Sequence, residues 1–205
     1  MKAFKAIFIC VCLVSTSALA YADSQFSVFG KFNAVPGYEG TYEEGVNDFP
    51  IVSDYQNYGL GLGLTFGKTI FAGIEGHYNF NGKATLTDPS DGDTVHVDTY
   101  RYASGFFTLG VNIWRSRTVR LYINGGGGIR YNLDADIKTY TSELGFETEI
   151  DPPEKKSLME AFGGVGVEIY FSQSSGVLLN GRYSYVDFES PQTSFVVLAG
   201  IVYRF

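Results

Sequence analysis

The chain has little of what most chemistry is built on. Its 205 residues include two Cys, two His and one Trp. Both Cys, Cys10 and Cys12, lie in an apolar run from Ala6 to Val14. That run follows Lys2 and Lys5 and leads into Ala18-Leu19-Ala20-Tyr21-Ala22, small residues at cleavage spacing, which is the pattern of a secretory signal peptide. Residues 1–22 are expected to be removed by cleavage after Ala22, with Ala20 as the alternative cut, leaving 23–205 as a single domain. The mature chain then holds no Cys, which excludes a disulfide scaffold and a Cys-ligated metal site. The apolar run is too short for a membrane helix, which needs about 20 residues, and no other stretch is apolar enough. Long segments of period 3.6 with caps are absent. So are a phosphate loop, a dinucleotide fingerprint, a metal-ligand cluster and a basic patch, so no cofactor and no nucleic-acid partner are expected. Gly125 to Gly128 lies within a strand pattern and precedes no helix.

What is present is alternation. Eight stretches carry apolar residues at every second position, the period of a strand. They run over 25–35, 55–66, 69–80, 99–114, 118–133, 158–171, 177–188 and 194–205. One face is almost uninterrupted, as in Leu60, Leu62, Leu64 and Phe66, or Ile70, Ala72, Ile74, Tyr78 and Phe80. The other face is Gly, Asn and charge. Connections alternate between long and short, with turns near Gly67-Lys68, Arg115-Ser116-Arg117 and 172–176, and polar stretches over 36–54, 81–98, 134–157 and 189–193. A soluble meander has no reason to alternate in this way. A membrane barrel does, because one rim carries short turns and the other long loops. The expected fold is therefore all-β, an eight-stranded antiparallel up-and-down transmembrane β-barrel with short periplasmic turns and long external loops. Aromatic residues add an independent sign. Phe66, Trp114, Phe171, Tyr203 and Phe205 fall near the short turns, and Tyr58, Tyr78, Phe80, Tyr131, Tyr183, Tyr185 and Phe195 near the long loops, with aliphatics between. Two such girdles match the two bilayer interfaces.

Charge is segregated. After cleavage 13 basic and 22 acidic residues remain, and 18 of the acids fall in the four long connections or, as Asp187, at the edge of the last one. The expected interior holds Lys31, Arg101, Arg120, Arg130, Arg182 and Arg204 against Glu75, Glu160 and Glu168, with His77 beside Glu75. Inward charge must be paired or wet, so these residues are read as a lumen polar network, with Arg204 facing one of the three Glu. A narrow, mildly cationic conduit is the alternative. Inward Gly59, Gly61, Gly63, Gly126, Gly128, Gly164 and Gly166 leave space beside Phe29, Phe71, Phe162 and Tyr170, either as small–large packing or as a pocket. Carboxylates of the acidic loops suit external protein or divalent-cation contacts, with Asp88-Pro-Ser-Asp91-Gly-Asp93 the densest cluster, although its spacing is not that of a Ca²⁺ loop. His96 reads as solvated in such a loop.

The last stretch, Ser194 to Phe205, places Phe195, Val197, Ala199, Ile201, Tyr203 and Phe205 on one face and ends on an aromatic residue. This resembles the C-terminal signal of outer-membrane β-barrels, and the whole mature chain resembles the small eight-stranded proteins of the OmpA-barrel, OmpX and OmpW type. The resemblance implies residence in a Gram-negative outer membrane, contact with its lipid, and recognition of Ile201, Tyr203 and Phe205 by the barrel assembly machinery. It spans several jobs: envelope structure, surface interaction through loops, and passage of small apolar compounds. Lipid A deacylases of this fold carry a His and a Ser two positions apart on an outward face. His77 is followed by Tyr78-Asn79 and His96 by Val97-Asp98, so a lipid-modifying enzyme is only a minor alternative. A non-enzymatic, porin-like surface barrel is the expected class.

Overall fold

A computed structural model of the chain describes residues 24–44, 47–87, 94–98, 100–134, 138–141, 147–150, 157–186 and 192–205. All regular structure among them is strand. In chain order the elements are β1 (Ser24–Glu44), β2 (Asn47–Phe66), β3 (Ile70–Asn79), β4 (Lys83–Thr87), β5 (Thr94–Asp98), β6 (Tyr102–Arg115), β7 (Val119–Asn132), β8 (Lys138–Thr141), β9 (Glu147–Ile150), β10 (Ser157–Tyr170), β11 (Ser175–Val186) and β12 (Gln192–Arg204).

Eight of these close a barrel. Each pairs antiparallel with its neighbours in the order β1, β2, β3, β6, β7, β10, β11, β12, and β12 returns to β1 from Gln25↔Arg204 to Ala34↔Phe195. The backbone N–H of Phe205 donates to Ser24 at 2.9 Å, which ties the end of the chain to its first described residue. The register fixes the barrel's shape. Stepping through paired residues from Ser24 to Phe66, Ala72, Leu109, Gly125, Gly163, Tyr183 and Phe195 returns to β1 at Ala34, ten residues along. With about 3.3 Å per residue and about 4.8 Å between strands, that stagger tilts the strands by roughly 40°. The backbone cylinder then has a radius of about 8 Å, which inward side chains can fill. A strand so tilted climbs about 2.5 Å per residue, so the ten residues from Phe195 to Phe205 span roughly 25 Å, the height of an apolar membrane band.

Alternation sorts the faces. Leu60, Leu62, Ile70, Ile74, Phe107, Leu109, Ile123, Ile169, Leu179 and Ile201 are exposed on the outside, where hydrocarbon surrounds them. Trp114, Phe171, Tyr203 and Phe205 ring the short-turn end, and Tyr58, Tyr78, Phe80, Tyr131, Tyr183 and Phe195 the other, all exposed. Phe29, Phe71, Phe106, Tyr122, Phe162 and Tyr170 are buried inside. In this chain the polar set is also inside, the inverse of a water-soluble barrel.

Two expectations need correction. The long connections are not plain loops. β1 and β2 continue their ladder beyond the barrel up to Glu44↔Asn47, β4 and β5 form a hairpin whose first strand pairs with β2, and β8 and β9 form a separate hairpin. Runs such as Thr94-Val95-His96-Val97 carry β-branched residues in alternation, so these polar stretches can pair as strands. Pro36, which lacks an N–H, sits within the irregularity between Val35 and Tyr38 and so spares the ladder a missing donor. His96 consequently stands on β5, with Nδ1 and the Thr85 hydroxyl 3.1 Å apart. The second correction is Arg101. β6 starts only at Tyr102, and Arg101 shares the parity of outward Phe107 and Leu109. It lies outside the lumen, half exposed, with Nε and Nη2 on Asp134 Oδ1 at 2.8 and 2.5 Å. The inward residue there is Tyr102. The cluster Asp88–Asp93 and the stretch 187–191 lie outside the described residues.

Candidate functional site

The lumen is where the polar residues converge, in three tiers. Nearest the short turns, Arg120 of β7 meets Glu168 of β10, Nη1 to Oε1 at 3.0 Å, because the register sets them directly opposite. Gln25 of β1 closes the tier. Its Oε1 accepts from Arg120 and from the Thr65 hydroxyl, while its Nε2 donates to Tyr170 Oη at 2.6 Å and Glu168 Oε2 at 3.2 Å. Tyr170 donates to Glu168 Oε2 at 2.5 Å. The Arg120 guanidinium also lies over the Phe71 ring, 4.4 Å from its centre, and its Nε donates to Asn112 Oδ1 at 2.6 Å.

The middle tier is a two-pronged bridge. Arg182 of β11 donates from Nη1 and Nη2 to the two carboxylate oxygens of Glu75 on β3, at 2.7 and 2.8 Å, across the barrel bore. Its Nε donates to Asn180, and the guanidinium lies over Phe162 at 4.2 Å. Glu75 also accepts from Thr108 at 3.2 Å and lies 3.0 Å from His77 Nε2. The His77 ring is held edge-on to Phe29 and tilted against Phe106, at 5.1 and 5.0 Å between centres.

Toward the external rim, Arg130 donates to Glu160 Oε2 at 3.0 Å, and Ser184 to Oε1 at 2.9 Å. Tyr102 stacks under Arg130 at 4.0 Å, and the Lys31 ammonium lies 5.4 Å from the same ring. Every lumen Glu thus has an Arg, which is the condition for burying a charge without a large penalty.

The structure brings together Lys31, Glu75, His77, Arg120, Arg130, Glu160, Glu168 and Arg182 inside the barrel and leaves Arg101 outside. Arg204 faces inward but meets none of the three Glu. Its guanidinium stacks on Tyr170 at 3.9 Å, and its Nε and Nη2 have no acceptor among the described residues. Gln25 and Arg120 have already taken the oxygens of Glu168 that Arg204 might have reached. Sequence reading missed Gln25, Tyr102, Thr108, Asn112 and Asn180 as members of the network. Each has inward parity, which was the available signal, but a neutral side chain gives no reason to look for a partner.

Space inside is scarce. The inward glycines pack against rings: a Cβ on Gly61 would strike Phe29, on Gly110 Phe71, on Gly126 Phe162 and on Gly166 Tyr122. This is small–large packing. A cavity between the first two tiers, near Gln25, Glu75, Arg120 and Arg182, measures about 30 Å³. That admits a water molecule or two and no larger solute.

A closed, tilted, eight-stranded barrel with a lipid-facing apolar band, two aromatic girdles and a salt-bridged interior defines a small integral barrel of the outer membrane. The chain belongs to the outer membrane protein beta-barrel domain family, whose model matches residues 6–205. It is similar in structure to the outer membrane protein OprG from Pseudomonas aeruginosa, at 12% identity and a TM-score of 0.55 over 90% of this chain and 97% of that one. It is likewise similar to Neisserial surface protein A, at 7% identity and a TM-score of 0.54 over 89% and 97%. At such identities the likeness is one of fold. No curated protein matches the sequence.

Proposed function

We propose that this protein is a non-enzymatic barrel, closed to solutes, that acts in envelope structure or surface interaction through its acidic external face. The observation that supports this most is the filled lumen. The Glu75–Arg182 pair crosses it, the Arg120–Glu168 and Arg130–Glu160 pairs fill it along β7 and β10 at the heights on either side, and the cavity between the first two tiers is only about 30 Å³. The acidic external extensions offer carboxylates to a protein partner or to bridging divalent cations. Ile201, Tyr203 and Phe205 all face lipid at the closing strand, in keeping with recognition by the barrel assembly machinery during insertion. A second reading is favoured by one feature: the described lumen carries Lys31, Arg120, Arg130, Arg182 and Arg204 against Glu75, Glu160 and Glu168, a cationic excess suited to a narrow conduit for small solutes. Planar-bilayer recording of the refolded mature protein separates them. A closed barrel gives no resolved single-channel steps, and steps of uniform size would overturn the first reading.

A further inference from the structure

One titratable lumen group stands apart from the three Arg–Glu pairs. His77 lies in the middle tier on β3, buried, opposite Gly61 of β2 and Ser104 of β6 in the two ladders. The charged groups that act on it come from three strands: Glu75 of β3 itself, Arg182 of β11 and Lys31 of β1. Its neighbours β2 and β6 face the bore at this height with Gly59, Gly61, Ser104 and Phe106, none of them charged. Arg130 of β7 and Glu160 of β10 pair with each other in the tier above.

His77 and Arg182 share one atom. Glu75 Oε2 accepts from Arg182 Nη1 at 2.7 Å and lies 3.0 Å from His77 Nε2. An ionised carboxylate only accepts, so Nε2 carries the hydrogen and the neutral ring keeps its lone pair on Nδ1. Nδ1 is shielded from water and has no partner among the described residues. With the ring neutral, Glu75 balances Arg182, and both stay satisfied.

A proton on Nδ1 changes this count. Two full cations then converge on a single oxygen, with the Lys31 ammonium as a third charge on the same side of the bore. The new N–H also points where no acceptor stands. Like charges held together away from water repel strongly, so the ring and Arg182 compete for Glu75.

Arg182 is the one able to yield. Without Glu75 its Nε still donates to Asn180 Oδ1 at 2.6 Å, and its guanidinium still covers the Phe162 ring at 4.2 Å. The cavity of about 30 Å³ lies beside it and gives it room. The His77 ring is held by Phe29 and Phe106, at 5.1 and 5.0 Å between centres, and Glu75 stands two positions away on the same strand. Protonation therefore strengthens a contact within β3 at the expense of the bridge that ties β3 to β11 across the bore.

We infer that His77 makes the Glu75–Arg182 bridge an acid-sensitive latch, closed while the imidazole is neutral and released at Arg182 when the ring is protonated. Imidazoles change charge between about pH 5 and about pH 8, so mild acid is the trigger. In the folded barrel protonation costs the bridge, and in the unfolded chain it costs nothing, so stability falls as the pH drops through this range.

The mature protein, folded in phosphatidylcholine vesicles, is unfolded in urea at about pH 7.5 and about pH 5, with Trp114 fluorescence as the signal. The wild type is expected to unfold about tenfold faster in acid, as for one group whose proton uptake is linked to unfolding. His77→Gln keeps a donor for Glu75 and cannot titrate, so its rate should change by no more than about twofold. Arg182→Met removes the competitor, and acid should then slow unfolding or leave it unchanged. If His77 were merely a buried base, acid would speed Arg182→Met as well. Nitrogen NMR of labelled histidine in His96→Gln, where His77 is the one imidazole left, reads the ring without altering it. Its hydrogen should sit on Nε2 at neutral pH, and both nitrogens should carry hydrogens in acid. A ring that stays neutral at about pH 5 overturns the proposal, as does a protonated ring with no faster unfolding. Acceleration that persists in His77→Gln, or that appears equally in Arg182→Met, overturns it too.

Discussion

If the lumen is dry and closed, the Glu75–Arg182 bridge must be strongly coupled. The bridge has two hydrogen bonds, at 2.7 and 2.8 Å, between side chains that are 7% and 6% exposed. Unit charges about 4 Å apart attract by about 4 kcal/mol at an effective dielectric constant of about 20. Removing one partner also strands the other, so Glu75→Leu or Arg182→Met alone is expected to destabilise the barrel by about 3–5 kcal/mol. The double variant removes both charges. It still leaves Thr108, His77 and Asn180 short of a partner, so it is not expected to be neutral, but it should cost no more than the worse single change. The coupling energy is then about 3 kcal/mol or more. The measurement is urea-dependent unfolding in phosphatidylcholine vesicles, followed by Trp114 fluorescence and by heat-modifiable migration, with all four proteins at one pH and salt. A coupling below about 1 kcal/mol, the range of solvent-exposed pairs, would refute the reasoning. It would mean that water reaches the bridge and screens it, and bilayer recordings would then be expected to show conductance.

Three further outcomes are expected. Gly128→Ala drives a Cβ into the Gly105 carbonyl and to within 2.8 Å of Phe106, so it should cost about 1–3 kcal/mol, whereas Gly163→Ala meets nothing within 4 Å on the lipid side and should stay within about 0.5 kcal/mol in the same titration. Deleting Phe205 removes both a girdle ring that meets Tyr203 edge-on at 5.1 Å and the backbone tie to Ser24, and the inserted fraction in outer-membrane preparations should fall several-fold; unaltered insertion would count against the C-terminal signal. Mass spectrometry of the outer-membrane form should give Asp23 as the first residue, and a chain beginning at Tyr21 would support the alternative cut.

The period-two pattern was enough to assign sides wherever a strand runs without a register shift. Which residues face lipid, how many strands cross, where the girdles fall and which charges are buried are local properties, because a strand turns successive side chains to opposite faces whatever its neighbours do. Parity carried back from outward Phe107 and Leu109 already places Arg101 outside and Tyr102 inside, whatever the start of β6. Pairing was not legible. Gln25 reaches Glu168 and Tyr170 from 143 and 145 positions away, and Glu75 reaches Arg182 over 107, because a stagger accumulated around eight strands decides which inward residues share a height. The hairpins beyond the barrel were likewise hidden in polar sequence whose pairing depends on the strand beside it. The register shift of β6 against β7 between Asn112 and Trp114 is the clearest case. Alternation alone sends Trp114 inward and Arg115 out. One extra residue against β7 reverses both, and only the pairing with that neighbour decides it.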